Sequence, residues 1–216
     1  MKSITLLIQN PNKFTVLIMQ VSFVLFFLVV AYRIAPGFLP AGALDALLNF
    51  SPISAIALCG AVYFRGHSRW ALPLASLLVS DTILNLFVHN APLFGVEMLM
   101  RYFAIGAASL LGMFVCNHCA MPLRNPALIL SSLASSFIFY ITTNAASWVT
   151  NPQYPAGVDG LIQALTTGIP GYPSTLWFYR QTILGDLAFT GLVAASVSIA
   201  NFRMAHRLAK HPLQAA

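Results

Sequence analysis

Six apolar runs occupy most of the chain and constrain its fold more than any other feature. They cover residues 14–34, 50–64, 70–88, 98–119, 127–148 and 176–200. A helix needs about 20 apolar residues to cross a bilayer. All but the second run approach that length, and the second reads as tilted or extended backwards by the LDALLN stretch at 44–49. The first run is longer than the apolar core of a signal peptide, and no clear Ala-x-Ala cleavage site follows it, so it reads as a permanent span. Between the runs there is little room for a soluble domain. Charged residues make up 7% of the chain, against roughly 25% in soluble domains, too few to cover a water-facing surface. The same scarcity, with 58% hydrophobic residues, excludes disorder. Three cysteines are too few, and odd in number, for a disulfide scaffold. The expected fold class is an all-α membrane protein: one domain over 1–216 with six transmembrane helices.

Orientation follows from where the cations lie. With both termini cytoplasmic, the inside segments hold Lys2, Lys13, Arg65, Arg69, Arg124, Arg203, Arg207 and Lys210. Arg33, Arg101 and Arg180 remain on the outer half, each within or beside a span. No acid falls inside: Asp45, Glu97 and Asp159 lie outside, and Asp81 and Asp186 lie within spans. The cations are scattered singly, so the net charge of +6 does not indicate nucleic acid. The longest connection, 149–175, falls on the outer side. It carries Pro152, Pro155, Pro170 and Pro173 with Gly157, Gly160, Gly168 and Gly171. It reads as an ordered loop with a short interfacial helix near 159–167, the kind of connection that serves as a lid.

Two acids near the bilayer midplane are the first candidates for a site. A charge there costs at least about 2.5–3.5 kcal/mol, so Asp81 and Asp186 are expected to face the bundle interior. They read either as substrate-contacting groups or as structural groups bonded to hydroxyls such as Ser80, Thr182 and Thr190. Asp81, Asn85 and His89 are spaced four apart and stripe one helix face from midplane to the outer mouth, as a cavity wall or an interhelical seam would. Asn144 and Trp148 share a face at the outer end of the fifth span. Arg101 and Arg180 read as snorkelling to headgroups, with an inward reach toward Asp81, Asp186 or an anionic ligand as the alternative. Cys116, His118 and Cys119 lack the further ligands a zinc site needs, and Cys59 reads as packing. The spacings Ala57/Ala61, Ala104/Ala108/Gly112 and Gly191/Ala195 read as packing of spans against one another. No Walker A, His-Glu-x-x-His or Gly-x-Ser-x-Gly motif occurs, and no cofactor is indicated.

The stretches NFSPISAIALCGAVYF (49–64), ALPLASLLVSD (71–81) and NAASWVTNPQYPAGVDGLIQALTTGIPGYPSTLWFYRQTILGDLAFTGL (144–192) together resemble an uncharacterised family of small bacterial six-helix membrane proteins. That family is in turn similar to the S components of energy-coupling-factor vitamin transporters. The resemblance implies a substrate-binding subunit in the bacterial inner membrane, with an outward pocket. It further implies a vitamin-like substrate and a separate membrane scaffold and ATPase pair as partners. Asp81, Asn144, Tyr154 and Asp186 fall on the family-like motifs. The first span, FTVLIMQVSFVLFFLVVAYRI, lacks the Ala-x-x-x-Ala docking surface common in S components. A solitary protein is the alternative, in which a corrinoid substrate would bring cobalt to His89.

The leading expectation is therefore a small-molecule binding and transport subunit. Its pocket would be lined by spans three, five and six under the 149–175 lid, with Asp81, Asn85, His89, Asn144, Trp148, Tyr154 and Asp186 as candidate contacts. The alternatives are an intramembrane aspartyl hydrolase using Asp81 and Asp186, whose usual Gly-x-Gly-Asp signature reads Ile183-Leu184-Gly185-Asp186 here, and a structural or assembly subunit of a membrane complex.

Overall fold

In a computed structural model the chain is all-helical. The structure describes residues 11–39, 52–64, 66–120 and 123–210, with side chains largely from Val24 to Ile199. The helices are α1 (Pro11–Phe38), α2 (Ile53–Tyr63), α3 (Ser68–Leu84, continued by a π-turn over Asn85–His89), α4 (Val96–His118), α5 (Arg124–Thr150), α6 (Val158–Leu165) and α7 (Thr175–Lys210). No strand occurs among the described residues. Four segments are long and apolar enough to cross a membrane: Ser68–His89, Val96–His118, Arg124–Thr150 and Thr175–Ile199. They agree closely with the third to sixth runs, and α1 contains the first. The LDALLN stretch, Asp45, Lys2 and Arg65 lie outside the described residues.

The boundaries have local causes. Gly95 is extended just before α4, and Glu97 places a negative charge in that helix's first turn, where the exposed N–H groups favour it. Pro126 sits in the first turn of α5, where its missing N–H costs nothing. Ser174 caps α7 by accepting the Trp177 N–H on its hydroxyl at 3.3 Å.

The second run forms a short helix, and its expected backward extension lies outside the described residues. α2 has only 11 residues, a length of roughly 16 Å, about half the apolar thickness of a bilayer. It is the hub of the bundle: Ile53, Ser54, Ala55 and every residue from Ala57 to Val62 are buried, and α2 packs against α3, α4, α5 and α7. Its small residues make this possible. A Cβ on Gly112 of α4 would lie 2.2 Å from the Leu58 carbonyl oxygen and 2.9 Å from the Ala61 Cβ. The two helices thus touch backbone to backbone, and the Ala57/Ala61 and Ala104/Ala108/Gly112 spacings meet across this crossing. Two apolar clusters flank it, one joining Val29, Ile53, Ala57, Leu77, Ile105 and Ala108, the other Leu58, Val62, Val115 and Leu128.

Polarity is inverted relative to a water-soluble bundle. Ser76, Ser80, Ser109, Ser132, Ser136 and Thr190 are fully buried, whereas Phe87, Phe103, Phe114, Leu130, Phe137 and Leu192 are exposed. Where the surroundings are hydrocarbon, packing and interhelical hydrogen bonds hold helices together, and apolar side chains have no reason to turn inward.

Candidate functional site

The two midplane acids are both buried, and their partner sets do not overlap. Asp81 of α3 is 2% exposed and forms an ion pair with Arg33 of α1. A second guanidinium approaches from α4, with Arg101 Nε 3.7 Å from Asp81 Oδ2. Arg101 therefore points inward, which corrects the snorkelling expectation: a desolvated carboxylate attracts a nearby cation more strongly than the interface does. Arg180 is exposed. Asp186 of α7 is 1% exposed and has no arginine or lysine within ion-pair distance among the described residues. The Ser136 hydroxyl donates to its Oδ2 at 2.7 Å, and Ser54 of α2 supplies a second side-chain hydrogen bond. Nearby, Thr190 donates to the Ser132 hydroxyl at 3.3 Å. The result is a hydroxyl-rich seam joining α2, α5 and α7.

The Asp81–Asn85–His89 stripe does not stay on one face. From Asn85 the helix widens into the π-turn, which ends at Asn90 with φ 48°, a left-handed conformation that asparagine tolerates. The Asn85 amide donates to the Pro92 carbonyl at 3.1 Å, fixing the turn that leads to α4. His89 is exposed, and no group of three His, Cys, Asp or Glu side chains gathers into a metal site among the described residues.

A cavity of 480 Å³ opens among α4, α5, α7 and the loop segments on either side of α6. α4 contributes Glu97 and Arg101, α5 contributes Tyr140 and Asn144, and α7 contributes Tyr179. Tyr154 and Tyr172 come from the two loop segments. Of the expected contacts, Asn144 and Tyr154 line this cavity, whereas Asp81, Asn85, His89, Trp148 and Asp186 do not. The fourth span takes the wall expected of the third. Asp81 stands one layer behind that wall, reaching it through Arg101.

The loop is built on specific contacts. Trp148 Nε1 donates to the Pro155 carbonyl at 3.1 Å. Gly160 packs beneath that turn so closely that a Cβ would lie 1.8 Å from the same oxygen. α6 occupies Val158–Leu165, overlapping the interfacial helix expected near 159–167, and buries Gly160 and Ala164 while exposing Val158 and Ile162. Gly168, at φ +75°, turns the chain back, its N–H donating to the Gln163 carbonyl at 2.8 Å. The Tyr140 hydroxyl donates to the Leu165 carbonyl, and its ring stacks on Tyr179 at 4.2 Å, so one wall of the cavity also anchors the loop. Burial raises the Tyr154 phenol above its ordinary pKa, which keeps it a neutral donor at physiological pH.

Sequence reasoning missed Glu97, Tyr140 and Tyr179 as lining groups and placed Arg101 at the headgroups. A signal was present for the first and last of these. Glu97 and Arg101 are the only Asp, Glu, Lys or Arg residues of α4, and their spacing of four puts them on one face.

An inverted distribution of polarity, four helices of membrane-crossing length and a polar cavity at one end of the bundle define a helical protein of membrane type. Residues 12–209 match a family of unknown function, DUF6580, and the chain belongs to that family. No curated protein and no solved structure matches it.

Proposed function

We propose that this protein is a membrane-embedded subunit that binds a vitamin-sized molecule and takes part in its uptake. The observation that carries the reading is the 480 Å³ cavity, which lies within the roughly 300–1,000 Å³ range of small-molecule sites and is bounded by an ordered loop. Its wall has the expected make-up of such a site: tyrosine rings, an amide at Asn144 and two residues of opposite charge, Glu97 and Arg101. The proposal includes six crossings, both termini in the cytoplasm and residence in the bacterial inner membrane. The distribution of cations supports this orientation. So does the position of the cavity, since its α5 lining, from Phe139 onward, lies at the end of that helix remote from Arg124. The resemblance to S components, together with the missing P-loop, supports a division of labour with a separate scaffold and ATPase pair. A corrinoid is the less supported substrate, because His89 lies outside the cavity lining.

The test is binding by the purified protein. In a thermal-stability screen of vitamins and their precursors, at least one compound raises the unfolding temperature, and Asn144→Ala and Tyr154→Ala weaken that shift without lowering the unliganded transition. A folded protein that no member of the screen stabilises would overturn the proposal.

A further inference from the structure

The cavity wall carries an imbalance of charge. Arg33 and Arg101 share a single carboxylate, Asp81, and Arg33 is the nearer partner. Two guanidinium charges thus face one carboxylate, and among the described residues no second carboxylate forms an ion pair with Arg101. Arg101 is 29% exposed at the cavity side, and its Nε is buried without a hydrogen-bond partner. A guanidinium held part-buried with its Nε unpartnered gains from an anion that meets it. Its planar fork matches a carboxylate through two parallel hydrogen bonds. Among the described residues, Glu97 is the only carboxylate in the lining. It is exposed, accepts the Thr150 hydroxyl at 3.1 Å, and sits one turn nearer the helix end than Arg101. It makes no ion pair with Arg101, so it leaves that charge free for a ligand. The remaining wall offers aromatic rings in Tyr140, Tyr154, Tyr172 and Tyr179, neutral hydroxyls in Tyr154, Tyr172 and Tyr179, and the Asn144 side chain.

We propose that the cavity selects a small molecule bearing a carboxylate on a flat, unsaturated body, with the carboxylate paired to Arg101 and the body against the tyrosines. This rests on the binding function proposed above and specifies its substrate class. Asp81 is then a positioning residue: it holds Arg101 against the wall and does not touch the ligand.

The experiment uses the full chain in detergent and a panel of aromatic and unsaturated carboxylates. Each carboxylate is matched with its primary amide and its amine, with benzoate, benzamide and benzylamine as the parent set. Binding is read by thermal shift and titration calorimetry. Carboxylates are expected to bind in preference to their amides and amines. Arg101→Gln weakens them by about 30-fold or more. Arg101→Lys, which keeps the charge but not the fork, restores part of the loss and guards against a folding defect in the glutamine variant. Glu97→Gln removes the like charge from the wall and tightens carboxylate binding. Amides or amines that bind as well as the acids, or carboxylate binding that survives Arg101→Gln, would overturn the substrate class while leaving a binding cavity in place. Failure of every arm on a folded protein would remove both proposals.

Discussion

Asp81 and Asp186 are alike in burial and opposite in company. Asp81 answers a guanidinium from a neighbouring helix, so removing its charge strands Arg33 in an apolar setting. Breaking a buried pair from one side costs about 3–5 kcal/mol. Asp81→Asn is therefore expected to lower thermal stability sharply. Asp186 is bonded by the Ser136 and Ser54 hydroxyls, which an amide can satisfy as well, so Asp186→Asn is expected to change stability within about 1 kcal/mol. Parallel melting curves of the two variants check this, and equal losses would contradict the partner assignment. The sequence singles out both acids, because a carboxylate in an apolar run has few explanations. It does not reveal the partners. Arg33 lies 48 positions from Asp81, and each helix is apolar on most of its faces, so no periodicity shows which faces meet.

The same uniformity decides what is legible at the scale of elements. The long helices match their apolar runs because run length is what a bilayer reads. α6 is legible from the Pro and Gly residues around it. The role of α2 is not: a short apolar run looks like a weak span, and only the packed bundle shows that nearly all its sides are covered. Small residues are the trace of this in the sequence, and they permit a test. Gly112 sits where a Cβ would overlap the Leu58 carbonyl, whereas a Cβ on Gly106 of the same helix meets nothing within 4 Å. Gly112→Ala must push α4 off α2 and is expected to cost about 1–3 kcal/mol. Gly106→Ala gains up to about 1 kcal/mol from helix propensity. The pair separates close packing from a general effect of alanine in α4. Stability lost equally at both positions would remove the argument for a backbone contact at the α2–α4 crossing.

At the scale of the whole molecule, the arrangement has two unlike ends. One carries the cavity, α6 and the proline-rich loop segments. The other carries the α2–α3 turn and the α4–α5 connection, with Arg69 and Arg124 among the nearby cations. Four of the seven candidate contacts divide along this axis. Asn144 and Tyr154 belong to the cavity end, whereas Asp81 and Asp186 hold helices together deeper in the bundle, where sequence alone does not distinguish a ligand contact from a structural one. If the cation-rich end faces the cytoplasm, the cavity opens outward, and the two ends should differ in access to a membrane-impermeant maleimide. Val158 of α6 is 71% exposed, and His67 is exposed in the α2–α3 turn. Cys116 and Cys119 lie near the His67 end and are replaced in the background, whereas Cys59 is 3% exposed and can remain. In intact cells Val158→Cys is expected to label, and His67→Cys to label only after permeabilisation. The reverse pattern would invert the protein and turn its cavity toward the cytoplasm. Labelling of both in intact cells would mean that the two sites do not lie on opposite sides of the membrane.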